Sequence, residues 1–276
     1  MSPRLLEVDG QQLRERFDRA PFLVRHRLAH HPLFALSSLV ALSRRLPREQ
    51  VEYNAGDLTL SQDPDRMPQT VLSIEETIER IETCRSWMVL KYVEHDPVYR
   101  RLLDDCLDEL HVVAPEVTKG MRMRQGFIFV SSPGAVTPFH LDHEHNFLLQ
   151  VRGTKTVTQY DREDRRLVTD EEIERSYAGA HRNLQLRGPA REDVFELGPG
   201  DGLHFPVDAP HHVRNGAAVS ISFSVTFRTD ASARRAGIYR LNGRLRQLGL
   251  HPSRVGQSPL RDQAKWLVSR ALRRLL

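Results

Sequence analysis

The stretch TPFHLDHEHNFLLQVRGTKTVTQY (residues 137–160) decides how this chain folds. A polar, histidine-rich segment precedes two strand-like runs that an Arg-Gly turn at residues 152–153 separates. His140 and Asp142 are two residues apart, so on a strand they would share one face and could reach one ion. The stretch therefore predicts a β-rich fold with a possible metal site.

More strand-like runs lie on both sides of this stretch. They are short and rich in β-branched and aromatic residues: RQGFIFVS, NFLLQVRG, KTVTQY, DVFELGPGDGLHFPV and AVSISFSVTF. Many short strands at close spacing predict a sandwich or a barrel. In the last run Ser220, Ser222, Ser224 and Thr226 share one face, which looks either into a barrel mouth or into solvent.

The N-terminal part of the chain has helical patterns instead. SIEETIERIETC (73–84) has the apolar spacing of a helix, and Ser73 with Glu76 forms a capping box at its start. We therefore predict a mixed, mainly helical lobe over residues 1–120 and a β core over residues 121–229.

A basic helical tail is predicted over residues 230–276. From residue 232 to the end the tail has eleven Arg or Lys and one acid, a net charge of +10, so residues 1–231 carry −6 of the total +4. The last helix has Ser258 as N-cap, followed by an apolar stripe formed by Leu260, Ala264, Leu267, Ala271 and Leu275.

Overall composition indicates an ordinary globular protein. Of the 276 residues, 39% are hydrophobic and 28% charged. No apolar run reaches the ~18 residues of a membrane span, and the charged N-terminus does not resemble a signal peptide. With Cys84 and Cys106 as the only cysteines, we expect no disulfide framework and a cytoplasmic location.

A third metal ligand has to come from a distant segment. PGDGLHFPVDAPHHVRNG (199–216) offers His211 and His212, of which only one can face the ion because neighbours on a strand point to opposite sides. Two histidines and a carboxylate are typical of non-haem Fe(II) oxygenases. A set of hydrogen-bonded polar residues at strand ends is the simpler alternative. His143 and His145 have the opposite strand parity, so we expect supporting or neutral roles for them.

Residues 120–228 resemble the JmjC/cupin-like 2-oxoglutarate-dependent oxygenases, most closely the asparaginyl hydroxylases of the factor-inhibiting-HIF type. A Thr-Pro-x-His-x-Asp run supplies two iron ligands in that family, which implies His140 and Asp142 here. The distal iron histidine of the family follows a proline, so His211 matches better than His212.

The resemblance also implies a cosubstrate site. Lys155 and Thr137 sit where the family binds the distal carboxylate of 2-oxoglutarate, and Asn146 where it contacts the other end. A dicarboxylate would explain a lysine and a hydroxyl beside an iron site. Two family residues have no clear match. Val89 or a neighbour replaces a tyrosine, and one of Ser222, Ser224 or Thr226 replaces a second asparagine.

We therefore expect a mainly β protein with α additions, built on a double-stranded β-helix (jelly-roll) core with helices at both ends. The expected activity is that of an Fe(II)- and 2-oxoglutarate-dependent dioxygenase that uses O₂ as co-reactant. It would hydroxylate an unactivated C–H bond of a peptide or protein side chain, or of a small biosynthetic intermediate. The charged segment 162–191 has no readable motif and is expected to contribute substrate contacts.

The alternative is a non-catalytic, metal-binding cupin-like protein that regulates or senses a ligand. Lys155, which matches the cosubstrate-binding lysine of the family, argues against this alternative, because a binding protein need not retain it. As the resemblance implies, the C-terminal helices are expected to build a homodimer. Binding of nucleic acid or of a membrane surface is less favoured, because no glycine- or aromatic-rich pattern interleaves the arginines.

Overall fold

The computed structural model of the protein describes residues 4–63, 66, 68 and 70–275. Its strands are β1 (Leu6–Glu7), β2 (Phe22–His26), β3 (Val51–Ala55), β4 (Ser86–Lys91), β5 (Arg122–Ser131), β6 (Val136–His140), β7 (His145–Arg152), β8 (Lys155–Tyr160), β9 (Glu192–Leu197), β10 (Asp201–Phe205), β11 (His211–Asn215) and β12 (Ser220–Arg228). Its helices are α1 (Gly10–Arg16), α2 (Leu36–Ser43), α3 (Ile74–Glu79), α4 (Pro97–Val113), α5 (Asp170–Tyr177), α6 (Asp230–Gln247) and α7 (Pro259–Leu275).

The strands form two antiparallel sheets that enclose the site. The larger sheet has eight strands in the order β1-β2-β10-β7-β12-β5-β4-β3, and the smaller has four in the order β6-β11-β8-β9. Strands β5 to β8 alternate between the sheets, as do β9 to β12, and β8 and β9 are neighbours in the smaller sheet, as in a jelly roll. The predicted double-stranded β-helix fold is confirmed.

A small apolar cluster fills the space between the sheets. It consists of Leu148, Leu203 and Phe205 from the larger sheet with Val157, Leu197 and Val213 from the smaller one. Because side chains alternate across a strand, the residues two positions from these also face the interior. Three of the polar residues predicted for the site, Asn146, Lys155 and His211, lie at such positions.

The opposite face of the larger sheet packs against α1, α2 and α4 in the main hydrophobic core. The helices lie before residue 121, yet β1 to β4 from the same region extend the larger sheet on both of its edges. β7 lies at the centre, and its residues up to Val151 are all buried. The strand is therefore buried on both faces, and its polar residues His145, Asn146 and Gln150 are buried together with its apolar ones.

The C-terminal helices pack beside the smaller sheet. α6 contacts both α5 and α7, and Trp266 of α7 lies against Gly237 of α6. The predicted apolar stripe of α7 faces away from this contact, with Leu260 85% and Leu267 53% exposed. The side chain of Leu275, the last member of the stripe, lies outside the described part. None of the described helices has the length and apolarity needed to span a membrane.

Candidate metal centre and cosubstrate pocket

His140, Asp142 and His211 converge at one end of the barrel. His140 is the last residue of β6 and pairs across the strands with His211, the first residue of β11. The two imidazole centroids are 4.2 Å apart, and Nε2 of His211 is 3.9 Å from Oδ2 of Asp142. One ligand atom from each residue lies within 4.8 Å of the others, and no other such cluster occurs among the described residues.

Backbone carbonyls orient both imidazoles. Nδ1 of His140 is 2.8 Å from the Pro138 carbonyl, and Nδ1 of His211 is 3.0 Å from the Ala209 carbonyl. Because a carbonyl only accepts, each Nδ1 carries the proton and each Nε2 keeps its lone pair for a metal. Burial, and then His140, lower the pKa of His211 to about 3, so His211 is a neutral ligand at physiological pH.

The carboxylate of Asp142 is ionised although it is half-buried. Burial alone would raise its pKa, but His140, His211 and Arg182 outweigh this effect and lower it to about 2. Asp142 does not lie on a strand as the sequence spacing predicts, because β6 ends at His140. The Asp208 N–H donates to the Asp142 carbonyl at 2.8 Å and so holds this loop beside the segment that leads to His211.

These residues fit a divalent iron ion. Two neutral imidazole nitrogens and one carboxylate on one side of an ion leave further coordination positions open, which is the donor set of non-haem Fe(II) oxygenases. A cavity of about 470 Å³ opens onto His140 and Asp142. His211 lies behind this wall and is buried.

Lys155 is buried in the barrel interior, 5% exposed, on the same strand face as Val157. Its ammonium group makes no hydrogen bond or ion pair with any described residue. Burial lowers the pKa of its ammonium group to about 7. A buried amine without a counter-ion is costly unless an anion joins it. Asn215, opposite Lys155 on β11, also has a buried Oδ1 without a donor.

The other two predicted cosubstrate residues also face the interior. Thr137 pairs with Val213 on β11 and lines the cavity. Asn146 is buried on β7, and its Oδ1 accepts a 2.6 Å hydrogen bond from Ser224. Lys155 and Asn146 do not line the open cavity, but lie beside it within the barrel.

The polar face of β12 looks into the barrel and not into solvent. Ser222 donates to Gln150 at 2.6 Å, and Ser220 accepts from the same amide at 3.0 Å. Thr226 donates to the carbonyl of Gln125. The serines are therefore committed to neighbouring polar side chains of β7.

His143 and His145 do not join the metal cluster. His143 pairs with the carboxylate of Asp208 at 2.8 Å and stacks on the ring of Tyr177 at 3.7 Å. His145 stacks on Phe17 at 4.4 Å, on the far side of the larger sheet. Both are buried, and both support the fold around the site.

The rest of the cavity wall could not be read from the sequence. One side is aromatic and formed by Trp87, Tyr92, Phe127 and Phe129, with Val89 among them. The Glu52–Lys91 ion pair stands at the same wall. The opposite side is the segment 179–183, which includes Arg182 and comes from the stretch that has no motif.

Comparisons with known proteins agree with this geometry. Residues 115–234 match the family model of the JmjC domain. No curated protein sequence matches the chain. An X-ray structure of E. coli ycfD aligns with a TM-score of 0.56 at 17% identity, covering 97% of this chain and 68% of that chain.

A structure described as YcfD, a ribosomal oxygenase from Escherichia coli, in complex with cobalt and 2-oxoglutarate, aligns with a TM-score of 0.53. Its identity is 16%, with 98% of this chain and 68% of that chain covered. At such identities the likeness shows the fold. Residues 115–234, which match the JmjC-domain model, contain all three residues of the His-Asp-His cluster, so the domain match and the site geometry concern the same part of the chain. Both indicate an Fe(II)- and 2-oxoglutarate-dependent oxygenase.

Proposed function

We propose that this protein is an Fe(II)- and 2-oxoglutarate-dependent hydroxylase that acts on a protein side chain. The observation that carries the proposal is Lys155, a buried cation without a partner in the same barrel as the His140–Asp142–His211 cluster. A purely metal-binding protein has no need for such a lysine, whereas a dicarboxylate cosubstrate does.

When bound, Fe(II) and 2-oxoglutarate supply the oxidising chemistry: O₂ is consumed, 2-oxoglutarate becomes succinate and CO₂, and one oxygen atom enters the substrate C–H bond. His140, Asp142 and His211 hold the metal on one side and leave the cavity side open. Lys155 and Thr137 bind the distal carboxylate by charge and hydrogen bond. Lys155 is buried, so water is excluded from its ammonium group and its attraction to the carboxylate is strengthened.

The cosubstrate site is proposed to be of the asparaginyl-hydroxylase type. Thr137, Lys155 and Asn146 are the residues that support this branch. Asn146 is held by Ser224 of β12, so a serine on the last core strand supplies the polar partner at this end of the pocket. A small biosynthetic intermediate remains the second substrate class.

A protein side chain is favoured because of the shape of the cavity. The space of about 470 Å³ reaches the surface between the aromatic wall and the segment 179–183. This volume also suits a small molecule, so it is the open mouth that favours a side chain whose main chain stays outside. The similar E. coli structure is described as that of a ribosomal oxygenase, which agrees with a protein substrate.

Succinate formation from 2-oxoglutarate tests this function. The purified protein should produce succinate only with Fe(II), slowly without substrate and faster with substrate. His140→Ala should abolish the activity, whereas His251→Ala, which replaces an exposed histidine far from the cavity, should leave it unchanged. Equal succinate formation by the wild type and His140→Ala would overturn the proposal.

We further propose a cytoplasmic homodimer formed through α7. Leu260 and Leu267 of its apolar stripe are exposed in the single chain, which favours burial against another surface. The tail carries +10 and residues 1–231 carry −6. Part of the tail's charge is paired within the chain, and the remainder complements the body of another copy. The free thiols of Cys84 and Cys106 suit a reducing compartment.

A further inference from the structure

We propose that Arg182 is a positioning residue, which fixes the Asp142 carboxylate so that a single oxygen faces the metal. This inference rests on the metal site of the proposed function. It concerns a residue to which the sequence patterns and the resemblance assign no role.

The contacts divide the two oxygens of Asp142 between two neighbours. Nη1 of Arg182 donates to Oδ1 of Asp142 at 3.2 Å. The other oxygen, Oδ2, is the one that lies 3.9 Å from Nε2 of His211. Because Oδ1 is engaged by the guanidinium of Arg182, only Oδ2 is available to an ion placed between the three ligands. Asp142 would therefore bind the metal through one oxygen.

Glu144 holds the guanidinium in place. Arg182 donates to both oxygens of Glu144, at 2.9 and 3.2 Å, in a bidentate pair. Arg228 donates to Glu144 from the other side at 2.6 Å. Glu144 is 7% exposed, so the arrangement is preorganised and not a mobile surface ion pair. Arg182 also offsets the repulsion between two carboxylates that lie two residues apart.

The backbone fixes the segment from which Arg182 comes. Leu184 donates its N–H to the Phe139 carbonyl at 2.8 Å, and Asn183 forms an isolated bridge with His140. Arg182 is therefore tied to the end of β6 beside the metal ligands. Its side chain is 40% exposed and lines the cavity, so a bound substrate would contact the residue that orients Asp142.

The chain offers a matched control. Arg187 comes from the same segment, forms a bidentate pair with Glu172 at 2.6 and 3.0 Å, and is 47% exposed. It does not contact a metal ligand. Arg182→Met and Arg187→Met therefore each remove a bidentate arginine–glutamate pair, but only the first also removes a contact to Asp142.

The test is a titration of the metal-free protein with Mn(II). Binding is monitored through the electron paramagnetic resonance signal of the Mn(II) that remains free. Arg182→Met is expected to weaken binding about 10- to 100-fold, the usual effect of removing a group that orients a metal ligand. Arg187→Met should bind as the wild type does. Arg182→Lys keeps a charge without the planar fork, so intermediate binding is expected. The visible spectrum of bound Co(II) should change in Arg182→Met alone.

Unchanged Mn(II) affinity and an unchanged Co(II) spectrum in Arg182→Met would overturn the proposal, as would equal losses in Arg182→Met and Arg187→Met. Thermal unfolding of the metal-free variants checks that both fold. If Arg182→Met does not fold, Arg182→Lys is used for the test instead. His140→Ala distinguishes a failure of the proposed metal site from a failure of the role proposed for Arg182. If it binds Mn(II) as tightly as the wild type, the metal site itself is wrong, and not only the role of Arg182.

Discussion

Lys155 lies in surroundings that oppose its charge. Its ammonium group is buried beside Val157 and opposite Asn215, and only burial acts on its pKa, which falls from 10.5 to about 7. Between these values the unfolded chain binds more protons than the folded chain. The free energy of unfolding of the unliganded protein therefore gains a contribution as pH rises from 7 towards 10.5.

The same pKa predicts how cosubstrate binding depends on pH. A bound dicarboxylate requires a charged Lys155, which the unliganded protein loses above about pH 7. The dissociation constant of 2-oxoglutarate should therefore rise by up to about tenfold per pH unit above that value. Calorimetric titration of the Mn(II)-loaded protein in several buffers checks this, and it should also show proton uptake.

Two variants control the pH experiment. In Lys155→Arg the charge persists at every pH, so any binding that survives the change of shape should lose its pH dependence. Lys155→Met should bind weakly throughout. Binding that is independent of pH in the wild type, or unaffected by Lys155→Met, would remove Lys155 from the cosubstrate site.

At the scale of the elements, the packing of β10 requires the absence of a side chain at Gly202. A Cβ at Gly202 would lie 2.7 Å from Cγ2 of Val24 on β2 and 2.8 Å from Cδ2 of Leu149 on β7. Gly202→Ala should lower the free energy of unfolding by about 1–3 kcal/mol through overpacking. Gly198→Ala, where the nearest atom is 3.6 Å away, should cost much less. Urea unfolding midpoints compare the two, and equal midpoints would contradict the packing described for β10.

Elements with strong local signals could be predicted from the sequence. The capping box of Ser73 and Glu76 is present at the start of α3, although the helix ends at Glu79 and not near residue 84. α5 was missed, even though Thr169 and Glu172 form the same kind of box. Its surrounding sequence is charged and has few apolar residues, so helical periodicity was weak there.

The pairing of distant segments could be predicted only in part. His140 and His211 were linked through a family pattern, and strand pairing brings them together. The contact between Arg182 and Asp142 depends on the path of a long segment after α5, which no local rule specifies. For the same reason the aromatic wall from β4 and β5 was not foreseen as part of the cavity.

On the scale of the whole molecule, ion pairs attach the basic tail to the acidic body. Arg235 of α6 pairs with Asp18 after α1, Arg246 pairs with Glu174 of α5, and Arg254 pairs with Glu163. Part of the tail's charge is thus neutralised within the chain. The apolar stripe of α7, by contrast, is not covered by the rest of the described chain.

The proposed dimer predicts the effect of a charge in that stripe. Leu267→Arg should convert the dimer into a monomer in sedimentation velocity, because a buried arginine without a partner destabilises an interface. Val112→Arg is the control, since Val112 is 72% exposed on another helix, α4. A wild-type protein that is monomeric at all concentrations, or a Leu267→Arg dimer as tight as the wild type, would exclude this interface.

The most direct test of the central claim is an anaerobic titration of the Fe(II)-loaded protein with 2-oxoglutarate, followed by visible absorption. The site described here predicts a charge-transfer band that saturates with 2-oxoglutarate, disappears in His140→Ala and requires far more 2-oxoglutarate in Lys155→Met. A wild-type protein that binds Fe(II) but develops no such band, or a band unaffected by either substitution, would contradict the account.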